Sequence, residues 1–326
     1  MTKKILLSGI KPTGTMHIGN YFGAIKQFIA MQDEYDSRVF IADFHALTTM
    51  HNKKDLVKST LDVTMDYLAC GLDPEKVILF KQSDLPEVTE LTWYFNCLVT
   101  VPFMERAHAY KDAVANGKEA SMGLFDYPVL MASDILIQDA DVVPVGQDQK
   151  QHVEYARDIA QKFNNTFGET FKLPNPIILK DVAIVPGTDG RKMSKSYGNT
   201  IPLFGTKEEI KKAVMSIVTD SKAPAEKKNA EECNIFKIHK LFLDGPALEA
   251  LRTRYEEGGL GYKESKDMLV EEIEAFVAPL REKRIQYEQN PQLVLDILKA
   301  GGEKAKEKVA STMNTIKNNV GVKLYD

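Results

Sequence analysis

A doubly wound parallel α/β sheet followed by an all-helical region is the architecture this sequence predicts, and three observations predict it. In the first two thirds, short β-type runs alternate with amphipathic stretches, the pattern of a parallel sheet covered on both faces. Two of those runs end directly in glycine-bearing polar turns. Beyond about residue 206 the strand-like runs stop. The 326 residues suffice for two domains, expected at 1–205 and 206–299, with a basic helical tail over 300–326.

In chain order, KKILLSGI (3–10) reads as a strand ending in glycine, and YFGAIKQFIAMQDEY (21–35) as a helix with Phe22, Ile25, Phe28 and Ile29 on one face. RVFIADFHALTT (38–49) and KVILFKQSD (76–84) are buried-strand runs on either side of a helix, DLVKSTLDVTMDYLACGL (55–72). DADVVPVG (139–146) is a further strand. The helix after it, HVEYARDIAQKFNNTFG (152–168), aligns Val153, Ala156, Ile159, Ala160 and Phe163. PAEKKNAEECN (224–234) is a charged loop and GGLGYKES (258–265) a glycine-rich turn between helices. AGGEKAKEKVASTMNTIKNNVG (300–321) either packs back on the sheet or tracks a phosphate backbone.

Composition narrows the classes. A net charge of −4 excludes a uniformly basic nucleic-acid coat but leaves room for a local basic track. Cys70, Cys97 and Cys233 stand apart, so they form no disulfide framework or cysteine metal site and read as small buried hydrophobes. Trp93, the sole tryptophan, reads as core. The apolar run near the start is too short for a signal-peptide core and nothing approaches a membrane span, so a cytoplasmic location is expected.

Three segments carry chemistry. SGIKPTGTMHIGN (8–20) joins the first strand to a helix start, where free N–H groups favour an anion, with His17 and Asn20 three apart. Taken alone, it reads equally well as an ordinary strand–helix turn. PVGQDQKQH (144–152) ends another strand, where Asp148 and Gln149 suit ribose hydroxyls or an amino group, or Asp148 merely caps the next helix. DGRKMSKSYGN (189–199) concentrates Lys192, Lys195 and serine hydroxyls between glycines, as a loop closing on a triphosphate would or as a solvated basic loop does.

Together these segments resemble the class I aminoacyl-tRNA synthetases. HIGN (17–20) is similar to their HIGH signature and KMSKS (192–196) is their second signature letter for letter. SGIKPTG, GNYFGAIKQF, YPVLMASDIL and GQDQ narrow the likeness to the tryptophanyl branch. The resemblance implies a Rossmann-like catalytic domain with a helical anticodon-binding domain. It also implies ATP with Mg2+ as co-substrate, L-tryptophan and tRNA(Trp) as partners, and a homodimer. Some relatives hold a metal cluster on clustered cysteines, but this chain lacks those cysteines, so no structural metal is expected, nor any membrane contact. Lys11, His17, Lys192 and Lys195 would then be catalytic. ATP would be bound by Lys11, Thr13, Gly14, His17, Gly19 and Asn20 in the first segment. Gly146, Asp148 and Gln149 would hold it in the second, and Lys192, Met193, Ser194, Lys195 and Ser196 in the third. Tryptophan would lie among Leu7, His45, Tyr127, Met131, Asp134, Val143, Val145 and Gln149.

Within that likeness, Tyr127, Met131 and Asp134 fall near helical spacing and so face one pocket. The aspartate suits an indole N–H, which only donates. The tyrosyl branch usually carries glutamine where Met131 stands. Lys11 replaces a glutamine common in bacterial members and adds a cation near the substrate carboxylate and α-phosphate. A small-molecule adenylyltransferase and a non-catalytic, RNA- or protein-binding paralogue are the alternatives. The intact KMSKS and the helical tail disfavour the first; Lys192, Lys195, Asp148 and Gln149 disfavour the second.

Overall fold

The protein is described from a computed structural model covering residues 2–12, 14–107, 110–111, 115, 119–146, 150–178 and 185–325. Five strands form one parallel sheet: β1 (Ile5–Ile10), β2 (Asp36–Ile41), β3 (Val77–Lys81), β4 (Val142–Val145) and β5 (Asn175–Ile178). Their order is β3-β2-β1-β4-β5, so the winding reverses between β1 and β4. A ligand crevice opens at such a reversal, beyond the carboxyl ends of the strands.

The helix after β1 differs from the uniform one the sequence suggests. Residues 18–30 (α1) contain a five-residue π turn, Tyr21–Ile25, and continue into a 3-10 turn, Met31–Asp33. Phe22, Ile25 and Phe28 still reach the core, whereas Gly23 and Ala24 are turned outward. Such wide turns recur at functional sites because they re-aim one face of a helix. After β2 comes the short α2 (Asp43–Ala46), followed by α3 (Lys53–Ala69), whose first amides are capped by Asn52 Oδ1. The strand β5 escapes the sequence reading because it is short, half-exposed and contains Pro176, features tolerated at a sheet edge.

After β3 follow α4 (Glu87–Asn96), α5 (Val101–Met104) and α6 (Met122–Ile137); α7 (Lys150–Phe167) lies between β4 and β5. The helical region comprises α8 (Lys207–Met215), α9 (Asn234–His239), α10 (Gly245–Glu257), α11 (Tyr262–Gln289) and α12 (Pro291–Val320). It is continuous with the sheet core: Ile210, Leu269, Ile273 and Val277 share an apolar cluster with Ile18, Phe22 and Ile25. The loop before α9 folds around the buried Lys228, whose ammonium donates to the Ala223, Pro224 and Glu226 carbonyls.

The last helix, α12, crosses the edge of the sheet at β3. Leu298 packs into the cluster on one face, and Ala305, Val309, Met313 and Ile316 into the cluster on the other. Between them Gly301 lies so close to β3 that a Cβ there would stand 1.7 Å from the Leu79 carbonyl oxygen. Covering an edge strand removes a template for unwanted pairing.

Three further expectations fail: the 38–49 run is strand only to Ile41, since the chain turns into α2 at Asp43 once it leaves the sheet, and two concern burial. Trp93 is 67% exposed on α4, because its side of the helix faces away from α6. Of the cysteines only Cys70 is buried; Cys97 is exposed and Cys233 partly so.

Candidate active site

Two adjoining cavities open at the β1/β4 reversal. The first, about 520 Å³, is floored by Leu7 on β1 and by Val143 and Val145 on β4, and walled by Tyr127, Met131 and Asp134 of α6. The near-helical spacing of those three does bring them onto one wall. The second cavity, about 700 Å³, lies between α1 and the 192–197 loop and is lined by Gly14, His17, Gly19, Asn20, Lys192 and Lys195 among others. Gly9, Lys11, Ala24 and Tyr67 line both, so the two are contiguous.

At the apolar cavity's end, Asp134 is buried, with His45 Nε2 3.1 Å from Oδ2 and Gln82 Nε2 2.9 and 2.8 Å from Oδ1 and Oδ2. Burial raises the Asp134 carboxyl above its usual range, and the His45 and Gln82 hydrogen bonds oppose that shift. Tyr127 also hydrogen-bonds through its hydroxyl to His152 Nε2, at 2.7 Å. Gln82 escapes sequence reasoning because it follows a buried strand as an ordinary polar terminator; only the folded register of β3 turns it inward.

In the polar cavity the first and third segments are stitched together. Ile18 N donates to Ile201 O at 3.0 Å and Leu203 N to Met16 O at 3.0 Å, so the stretch after the lysine loop runs antiparallel to the stretch around His17. The loop itself is built on the buried Asn199, whose Oδ1 accepts from Ser194 N at 2.8 Å. Its Nδ2 donates to Asp189 Oδ1 at 2.6 Å and to Lys192 O at 3.1 Å. Met193 packs into the core beneath, leaving Lys192 and Lys195 exposed above it. Ser196 bonds Ser194 Oγ at 2.9 Å and lies outside the cavity lining, whereas Ser194 is part of it. No sequence pattern marks Asn199, because two of its three bonds go to the loop's own backbone.

Lys195 reaches toward Gly14, whose φ of +45° suits glycine; a Cβ there would lie 3.2 Å from the lysine Nζ. His17 is buried beneath, with no hydrogen-bond partner for Nδ1; desolvation, helped by the Lys195 charge, depresses its pKa to about 4. Its ring is therefore neutral at neutral pH. Partial desolvation at the cavity rim likewise lowers the Lys11 and Lys195 ammonium groups, although both side chains reach solvent, and Lys11 Nζ contacts Thr48 Oγ1 at 3.4 Å. Gly146 lines the apolar cavity at its β4 mouth. Thr13, Asp148 and Gln149 lie outside the described residues. Among the described residues no group of three or more His, Cys, Asp or Glu is placed to hold a metal ion by itself, and no helix is long and apolar enough to cross a membrane.

A parallel sheet with contiguous cavities at its winding reversal, one apolar and one bearing lysines, is the arrangement of a site for an elongated ligand with an apolar end and an anionic end. The family described as tRNA synthetases class I (W and Y) matches residues 2–278, and the chain belongs to that family. The tryptophan–tRNA ligase of Fusobacterium nucleatum is 50% identical over 317 residues, 97% of each chain. That of Rhodopirellula baltica is 47% identical over 318 residues, covering 98% of this chain and 99% of its own. Among solved structures, tryptophanyl-tRNA synthetase of Campylobacter jejuni complexed with ADP and tryptophan superposes with a TM-score of 0.94 at 47% identity, over 97% of this chain and 99% of the other.

Proposed function

We propose that the protein activates L-tryptophan with ATP and transfers it to tRNA(Trp). The observation that carries this reading is the contiguity of the two cavities. The Asp134-capped apolar cavity meets the cavity beneath Lys195 at Gly9 and Lys11, so one bound adenylate would span both. An oxygen of the tryptophan carboxylate attacks the α-phosphorus of ATP. The bond from that phosphorus to the bridging oxygen breaks, and pyrophosphate leaves with its electrons. Mg2+ enters as part of the ATP substrate. The adenylate's carbonyl carbon is then attacked by a terminal ribose hydroxyl of the tRNA, and AMP departs.

Each residue's part follows from its chemistry. Lys192 and Lys195 stabilise the departing pyrophosphate, with Ser194 adding a hydroxyl donor. Lys11 lies where the carboxylate meets the α-phosphate and offsets the charge of both. A neutral His17 offers a hydrogen bond to phosphate without adding charge, while Gly14 and Gly19 allow close approach. Such a site works by positioning and charge stabilisation rather than by covalent chemistry. In the other cavity Met131, Val143, Val145 and Leu7 enclose the ring and Asp134 accepts the indole N–H. Asp148 and Gln149 are assigned to the ribose and the amino group on the family likeness.

The helical region is proposed to receive the anticodon, and the setting is proposed to be the cytoplasm. A second copy of the chain is a proposed partner, on the family likeness. Sedimentation giving a monomer at micromolar concentration would refute the dimer. Amino-acid-dependent ATP–pyrophosphate exchange tests the reaction, comparing tryptophan, tyrosine and phenylalanine in the wild type and Asp134→Ala. Exchange with tryptophan alone, lost or relaxed in the variant, is expected. Exchange driven by tyrosine would overturn the pocket assignment, and no exchange at all would overturn the reaction.

A further inference from the structure

Asp134 receives its hydrogen bonds from two side chains of unequal standing. His45 Nε2 reaches only Oδ2, whereas the Gln82 amide nitrogen spans both oxygens. The orientation of that amide is not arbitrary. Its other end, Oε1, accepts from the His45 backbone N–H at 3.2 Å, which turns the donor end toward the carboxylate. Gln82 is 1% exposed and opens the 3-10 turn Gln82–Asp84 that ends β3. The next residue fixes that turn to α2: Ser83 N and Oγ both donate to Asp43, at 3.0 and 2.5 Å. Gln82 is thus held by elements from two neighbouring strands, and it lies outside the lining of the cavity whose chemistry it sets.

We infer that Gln82 is the positioning residue for recognition of a ring N–H: with His45 it fills the acceptor sites of Asp134 Oδ2, and it aims Oδ1, which takes only one of these bonds, at the donor on the substrate ring. The inference rests on the proposed tryptophan pocket and deepens it. Two oxygens with different numbers of bound donors make the carboxylate directional, so a ring that presents an N–H is accepted and an isosteric ring without one leaves a buried acceptor unsatisfied. The same hydrogen bonds favour the ionised carboxylate against the desolvation that would neutralise it.

The test compares tryptophan with β-(benzothiophen-3-yl)alanine, in which sulfur replaces the ring N–H, in ATP–pyrophosphate exchange by the full-length protein. The wild type is expected to prefer tryptophan strongly. Gln82→Met, of similar volume, is expected to lower kcat/KM for tryptophan roughly 10- to 100-fold, mainly through KM, while the analogue changes by no more than about threefold. The preference then collapses. Gln82→Glu, which sets an acceptor against the carboxylate, is expected to lose the preference as well and serves if the methionine variant does not fold. Equal losses with both substrates would mean that Gln82 is only structural and would overturn the inference. A wild type that does not distinguish the two rings would instead overturn the assignment of Asp134 itself.

Discussion

Arg284 of the helical region donates from Nε to Asp66 Oδ1 of α3 at 2.5 Å, joining two parts of the chain 218 residues apart. Asp66 is also within the electrostatic reach of Lys195 and raises the affinity of that lysine for its proton. The buried carboxylate therefore faces Arg284 on one side and the Lys195 loop on the other. Arg284 is further held by Asp62 at 3.3 Å and by Glu288. Arg284→Met is expected to cost about 3 kcal/mol, since it strands a buried charge beside Asp62, whereas Asp66→Asn leaves Arg284 with two other carboxylates and costs less. Urea unfolding of the two variants checks the order; equal losses would remove the asymmetry.

At Gly14 backbone and catalysis can be separated. Gly14→Ala places a Cβ in a left-handed conformation, costing about 1 kcal/mol, and sets it 3.2 Å from the Lys195 amine. The lysine end is flexible, so the fold survives and the ammonium is displaced. Pyrophosphate exchange is expected to fall by a larger factor than stability predicts, with KM for tryptophan nearly unchanged. Lys195→Ala should give the same signature at about 100-fold or more.

His17 gives a pH dependence with a definite sign. Its folded pKa of about 4 lies below the ordinary histidine value of 6.5, so between those values the unfolded chain binds more protons than the folded one. The stability cost is absent above the upper value, grows as pH falls through it, and is fully present below about 4. His17→Gln is therefore expected to lose less stability than the wild type between pH 7 and pH 5 in denaturant titrations. Parallel losses would place the titration elsewhere.

Gly301→Ala is predicted to be the more damaging change although it lies outside the lining of both cavities. The added Cβ would meet the Leu79 backbone oxygen at 1.7 Å, and a main-chain atom in a paired strand cannot step aside. A loss of about 3 kcal/mol is expected, at the upper end for an overpacked core, visible as a lowered Tm. An unchanged Tm would mean that α12 sits further from β3.

How far the sequence carries can be judged at particular residues. Val153, Ala156, Ile159, Ala160 and Phe163 are all buried as their period predicts, because a helix face is a local property. The meeting of Tyr127, Met131 and Asp134 was legible for the same reason. Gln82, Asn199 and Asp66 were not: each acts on a partner distant in sequence or through a backbone atom, and no period marks that. Trp93 misled because bulk and hydrophobicity report what a residue prefers, whereas exposure depends on which side of α4 it occupies. The strand β5 was lost to its proline, which weakens a strand signal that neighbouring β4 supplies in three dimensions.

The position of α12 bears on how the protein is made. The helix that closes over β3 begins at Pro291, more than two hundred residues after the strand it covers ends at Lys81. During translation the sheet emerges with its edge strand bare and must wait for the thirty residues of α12. A product that stops short of Pro291 would therefore be an aggregation-prone fragment, not a slower enzyme. Synthesis through α12 is thereby a condition for a covered sheet, and a message cut before it would yield protein that quality control can recognise by its exposed edge.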